Sequence, residues 1–157
     1  MMKVIKHTFI SCLTALLFVL AAPASEAQTL PKPQQPNPWT AAELLEPAIL
    51  ARNLQDANQK NDPLILNIGF VNNIKGAVAI GAASTEEGRQ ALKDYLKKVP
   101  ADQEVVIYCG CCPFEKCPNV RPAFAYLKEL GYTHARLLNL KDNLKTNWIS
   151  KGYPMAE

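Results

Sequence analysis

The chain has 157 residues, 48% of them apolar and 20% charged, with a net charge of +3. That is enough length and apolar content for one domain with an ordinary hydrophobic core, so neither disulfides nor a metal is required for folding. A charge balance this close to neutral lacks the basic footprint of nucleic-acid binding, and no nucleic-acid partner is expected.

The first residues have the layout of an export signal. Lys3 and Lys6 form a basic start, and the fifteen-residue run from Thr8 to Ala22 is apolar. That run falls short of the roughly 20 residues a membrane-spanning helix needs. Ser25-Glu26-Ala27 offers a small-residue cleavage site before Gln28, with Ala22-Pro23-Ala24 as the alternative. Residues 1–27 are therefore expected to be a signal peptide, and the protein to be exported, periplasmic or secreted, with no stable membrane anchor after cleavage. Cys12 lies inside the apolar run and leaves with it. Loss of Lys3, Lys6 and Glu26 leaves 15 basic against 13 acidic residues, a net +2. Such compartments permit disulfides, whereas the cytosol reduces them.

Residues 28–38 carry prolines at 31, 33, 36 and 38 among polar residues, the composition of an extended tether. The folded domain is expected to span 39–157. Thr40-Ala41-Ala42-Glu43 fits a capping box, with Trp39 and Leu44 at the two positions of a hydrophobic staple, so the pattern predicts a helix start. Pro47 breaks or restarts that helix, whose second piece runs towards Asn58. "LILNI", 64–68, and "AVAIG", 77–81, read as strands. Ser84-Thr85-Glu86-Glu87 repeats the capping-box pattern. Ala91, Leu92, Tyr95, Leu96 and Val99 then follow at helical spacing until Pro100.

"VVIY", 105–108, is apolar at every position, as a parallel strand covered on both faces must be. A helix is expected from near Asn119, with Asn119 as its N-cap and Pro122 in its first turn. Ala123, Phe124, Tyr126, Leu127 and Leu130 form its apolar face, and Gly131 closes it. "RLLNL", 136–140, reads as a last strand, and Leu144, Trp148 and Ile149 mark a final helix ending at Gly152. Strands alternating with helices predict an α/β domain with a mostly parallel sheet flanked by helices on both faces.

Four of the five cysteines fall within the stretch "VIYCGCCPFEKCPNVRP", 106–122. Cys109 directly follows an expected buried strand, and a helix begins about ten residues later. Strand ends of this kind, beside helix N-termini, are where open parallel sheets bind ligands. A helix N-terminus also favours a thiolate, and Lys116 and Arg121 add positive charge nearby.

Three chemistries fit these residues. Cys109 and Cys112 form a Cys-x-x-Cys pair of the type that exchanges disulfides at helix N-termini, with Cys111 and Cys117 as further partners. The four cysteines could instead be structural, with Cys112 and Cys117 closing a small loop. As a third reading, Cys109, Cys111, Cys112 and Cys117 supply four soft ligands for copper or zinc in a Cys-x-Cys-Cys-x4-Cys spacing.

The segment resembles the active-site region of rhodanese-like domains. Their cysteine stands at the end of a strand like "VVIYC" and leads into a helix closing in Leu-x-x-x-Gly-Tyr. Here that stretch is Leu127-Lys128-Glu129-Leu130-Gly131-Tyr132. "IKGAVAI", 74–80, and Trp148 with "GYP", 152–154, extend the resemblance over roughly residues 39–154. The family's three-layer α/β fold is implied, together with sulfurtransferase activity. Cys109 would take a sulfane sulfur from a small donor, hold it as a persulfide and pass it to a thiol or other nucleophilic acceptor, without a cofactor.

The resemblance also implies a substrate-binding loop from Gly110 to Arg121 that includes Lys116 and Asn119. The sequence departs from the family pattern in that loop, which is about five residues longer. It departs again where Asn67-Ile68-Gly69 replaces the usual Asp-Val-Arg, and before Trp148, where a Gly-Gly pair is absent.

Overall fold

The computed structural model describes residues 36–57 and 62–157. The expected signal peptide, the linker up to residue 35 and the helix limit near Asn58 lie outside the described residues.

Each strand is short and strongly apolar. β1 is Leu44–Leu45, β2 Leu64–Asn67, β3 Val78–Ala79, β4 Val105–Tyr108 and β5 Ala135–Leu138. They form one sheet in the order β1-β5-β4-β2-β3, and every pair in it is parallel. β4 is central, and all four of its residues are buried, which explains why its sequence shows no polar alternation.

Helix α1 is Pro47–Gln55, α2 Glu86–Leu96, α3 Val120–Glu129 and α4 Leu144–Asn147. Alternate residues of β4 face opposite layers. Val105 and Ile107 join Leu92, Leu96, Phe124 and Leu127 in a core beneath α2 and α3. Val106 and Tyr108 join Leu50, Ala51, Leu144 and Trp148 beneath α1 and α4. The three-layer α/β architecture expected from the sequence is the one observed.

The chain leaves β2 for β3 on one side and returns as β4 on the other, which opens a crevice at the carboxyl ends of β2 and β4. In register, Asn67 pairs with Tyr108. Residues 68–69 and 109–110 therefore lie side by side at the mouth of that crevice.

Three local expectations are corrected. After Thr40 the chain makes only a 3-10 turn, Ala41–Glu43, and then runs straight into β1. Glu43 does reach back to the Thr40 N–H at 2.7 Å, as a capping box requires. The residue before a proline is disfavoured from helical backbone, however, and Glu46 is extended (ψ 135°) ahead of Pro47. Leu44 and Leu45 extend with it and pair with Leu137 and Leu138. Pro47 then occupies the first turn of α1, where its missing N–H costs nothing.

The cap of α2 is Thr85, one residue later than the Ser84–Glu87 pattern has it. Its Oγ1 accepts from the Gly88 N–H at 3.1 Å. Gly88 is required there, because a Cβ would lie 2.0 Å from the Ala82 carbonyl oxygen. The third correction concerns Asn119, which precedes α3 at the N-cap position but has helical backbone and no capping side-chain bond. Its amide is committed elsewhere.

A cluster of thiols at the mouth of the central strand

Cys109 follows β4 and is 3% exposed. Its neighbour Gly110 takes φ +75°, a left-handed conformation that costs glycine little. The turn folds the chain back over the strand end, and the Gly110 carbonyl accepts from the Leu144 N–H at 2.8 Å, fixing the loop to α4. As a result Cys111 swings back onto Cys109, with the two sulfurs 3.2 Å apart. Cys112 lies behind Cys111, at 3.4 Å between sulfurs.

Cys117 comes in from the other end of the loop. A 3-10 turn at Phe114–Lys116 precedes it, and it is buried against the same core as Cys109. The sulfurs of Cys109, Cys111 and Cys117 all lie within 4.8 Å of one another. None of the four cysteines is disulfide-bonded.

Asn119 completes the setting. Its Nδ2 donates to Cys109 Sγ at 3.1 Å, and its Oδ1 accepts from the Ser84 N–H at 2.8 Å. The amide thus bridges the thiol and the loop that leads into α2. On the opposite side, Gly69 is pressed against Cys109. The Gly69 N–H is held by Asn67 Oδ1 at 3.1 Å, while Asn67 Nδ2 donates to the Val71 carbonyl and to Asn73 Oδ1.

These donors determine which thiol ionises. The Cys117 thiol, the Asn119 amide, and the backbone N–H and thiol of Cys111 all stabilise a negative Cys109. They lower its pKa to about 5, although burial alone would raise it. The neighbours move the other way. Burial, together with their contacts to Cys109 and Cys112, pushes Cys111 up to about 12, and donation to Cys109 raises Cys117. Within the trio the proton is therefore lost most readily from Cys109, with Cys111 and Cys117 as donors to it.

The remaining residues singled out in the sequence are placed differently. Lys116 is exposed. Arg121 donates to the Pro36 carbonyl at 3.1 Å and to Asn37 Oδ1 at 2.5 Å, and its guanidinium lies 5.5 Å from the Trp39 ring centre. These contacts tie α3 to the residues before β1. The Cys109–Cys112 pairing read from the Cys-x-x-Cys spacing is not the nearest one, since Cys112 lies outside the 4.8 Å trio and Cys111 takes its place.

Three thiols converging at this distance also form a donor set for a soft ion. Copper(I) accepts three thiolates, whereas zinc would need a fourth ligand, for which Cys112 is adjacent to Cys111.

No family model and no curated protein matches this chain. Among solved structures, the solution NMR structure of a rhodanese-like domain from Anabaena sp. superposes with a TM-score of 0.53. It covers 73% of this chain and 78% of the other at 17% identity. The fold is rhodanese-like.

Within this rhodanese-like fold, the thiol cluster occupies the carboxyl end of the central strand beside the N-terminus of α3. The four cysteines and Asn119 stand out in the sequence, whereas Gly69, a wall of the site, does not. Its only signal was the departure at Asn67-Ile68-Gly69, which gains meaning once β2 is placed next to β4.

Proposed function

We propose that the chain is an exported sulfurtransferase in which Cys109 carries sulfane sulfur as a persulfide. The observation that supports this reading is the convergence of Asn119, Cys111 and Cys117 on the Cys109 sulfur at the mouth of the central strand, which favours its thiolate. A thiolate is the nucleophile that sulfur transfer needs, and a thiol that ionises near pH 5 is fully anionic at neutral pH. Attack on the outer sulfur of a small persulfide or polysulfide donor forms the Cys109 S–S bond and expels the donor as a thiolate or shorter polysulfide. The donors that stabilise the Cys109 thiolate would also stabilise negative charge on a Cys109 persulfide. An acceptor thiol then removes the sulfur, and Cys109 leaves as the stabilised thiolate.

The test is to expose the purified protein to inorganic polysulfide and follow the mass of each cysteine peptide. A gain of one sulfur atom on Cys109, lost in C109S, is the expected result. Absence of any such gain, or transfer to an acceptor unaffected by C109S, would sink the reading.

The 3.2 Å contact between Cys109 and Cys111 favours a second reading, a thiol-disulfide redox module. On that reading the pair cycles between dithiol and disulfide with an external dithiol or disulfide partner. It would be recognised by a Cys109–Cys111 disulfide that forms reversibly in thiol redox buffers without any sulfane donor.

A further inference from the structure

Cys109 is almost fully covered, at 3% exposed, while Cys111 is exposed and touches it at 3.2 Å. Cys111, together with Gly110, also lines a groove of about 580 Å³ whose walls include Phe70, Val71, Ile149 and Lys145. Phe70 is 84% exposed and Ile149 42%, so an apolar surface borders the one thiol of the trio that solvent reaches. A molecule entering this groove meets Cys111 before Cys109.

We propose that Cys111 is the outlet of the site: sulfane sulfur passes from Cys109 to Cys111, and the acceptor takes it from there in the groove. This rests on the sulfur-transfer reading above. The exchange is balanced and needs no oxidant or reductant. The Cys111 proton moves to the outer sulfur of the Cys109 persulfide, leaving a Cys111 thiolate beside a neutral persulfide. The thiolate attacks that outer sulfur, the Cys111–S bond forms and the S–Cys109 bond breaks. The bonding pair stays on Cys109, which is again the thiolate held by Asn119 and Cys117.

Asn119 donates to Cys109 Sγ at 3.1 Å and is in place for the departing Cys109 sulfur, so sulfur is released towards Cys111, 3.2 Å away. Gly110 permits the close approach, since its φ of +75° turns Cys111 back over the strand end. The exposed Lys145 ammonium at the groove suits an acceptor thiol that carries a carboxylate, and glutathione is the probe.

The experiment is a single turnover on the full chain. The protein is loaded with inorganic polysulfide, freed of excess, mixed with glutathione, and quenched with an alkylating agent before peptide mass mapping. In the wild type the extra sulfur is expected on both Cys109 and Cys111. In C111S it is expected on Cys109 alone, with transfer to glutathione slowed about 10- to 100-fold. Loading of Cys109 in that variant itself reports an intact site.

Loading and transfer in C111S at the wild-type rate would overturn the relay while leaving sulfur transfer through Cys109 standing. Failure of C111S to load when the wild type loads would make Cys111 the entry and overturn the proposed direction. Release of hydrogen sulfide with a Cys109–Cys111 disulfide, in place of a Cys111 persulfide, would also overturn it. No loading of any cysteine in the wild type would remove both the relay and the reading beneath it.

Discussion

Gly69 and Cys109 stand on neighbouring strand ends so closely that a side chain at 69 cannot coexist with the thiol. A Cβ at Gly69 would lie 2.7 Å from Cys109 Sγ and 3.0 Å from the Cys109 carbonyl oxygen. Gly69→Ala is therefore expected to displace the thiol from its donors and to cost about 1–3 kcal/mol through overpacking. Urea unfolding measures the cost, and polysulfide loading of Cys109 measures the displacement. Unchanged stability together with unchanged loading would show that the contact is unimportant.

The ionisation of Cys109 has a direct signature. With its pKa at about 5, the thiolate forms as pH rises through that value and is complete at neutral pH. Cys111, held at about 12, stays protonated over the same range. Thiolate absorbance in the ultraviolet, as the difference between wild type and C109S, should therefore rise through a midpoint near 5 and stay level to neutral pH. A midpoint close to the roughly 8.5 of a free thiol would contradict this picture.

Asn119 tests how the anion is held. Asn119→Ala removes the donor to Cys109 and the acceptor for the Ser84 N–H. Asn119→Asp keeps an acceptor for Ser84 but sets a carboxylate beside the thiolate. Hydrogen bonds to charged groups contribute about 1.5–3 kcal/mol, so the alanine variant should raise the Cys109 midpoint by about 1–2 pH units. The aspartate variant should raise it further, because like charges oppose ionisation. Equal midpoints in all three proteins would assign the effect to the neighbouring thiols alone.

On the alternative metal-binding reading, the trio of Cys109, Cys111 and Cys117 would bind one copper(I) per chain, as three soft donors within 4.8 Å favour that ion over harder ones. Competition against a copper(I) chelator should report this stoichiometry and its loss in C117S. Retention of copper by C117S, or no binding by the wild type, would discount the trio as a metal site.

Tyr108 carries a structural prediction independent of the site chemistry. Its side chain is fully buried, accepting from the Ile74 N–H at 3.0 Å and donating to the Asn72 carbonyl at 3.2 Å. Tyr108→Phe leaves both backbone groups without that partner and should cost about 1–3 kcal/mol in urea unfolding. A cost near zero would mean that water replaces the hydroxyl.

Much of this architecture was legible along the chain because its signals are local. The unbroken apolar run Val105–Tyr108 reads as a central strand and is one. The helix of 120–129 follows from Ala123, Phe124 and Leu127, which all face the core. Local signals failed where a longer-range partner outweighed them. Leu44 and Leu45, next to a good capping box, became a strand because β5 offered them an edge. Asn119, a good cap by composition, gave its amide to Cys109 and Ser84.

The sequence by itself determined that one α/β domain ends its central strand in a cysteine and crowds three more cysteines into the loop beyond. Spacing along a chain cannot say which side chains meet across it. Only the tertiary structure decided that Cys111 and Cys117, rather than Cys112, close on Cys109, and that Gly69 walls the thiol from the neighbouring strand. The physical reason lies in the sheet order, which sets β2 beside β4, and in the left-handed turn at Gly110, which folds the loop back on its own origin. The first sets Gly69 against the thiol, and the second brings Cys111 onto the same sulfur, where Asn119 also donates.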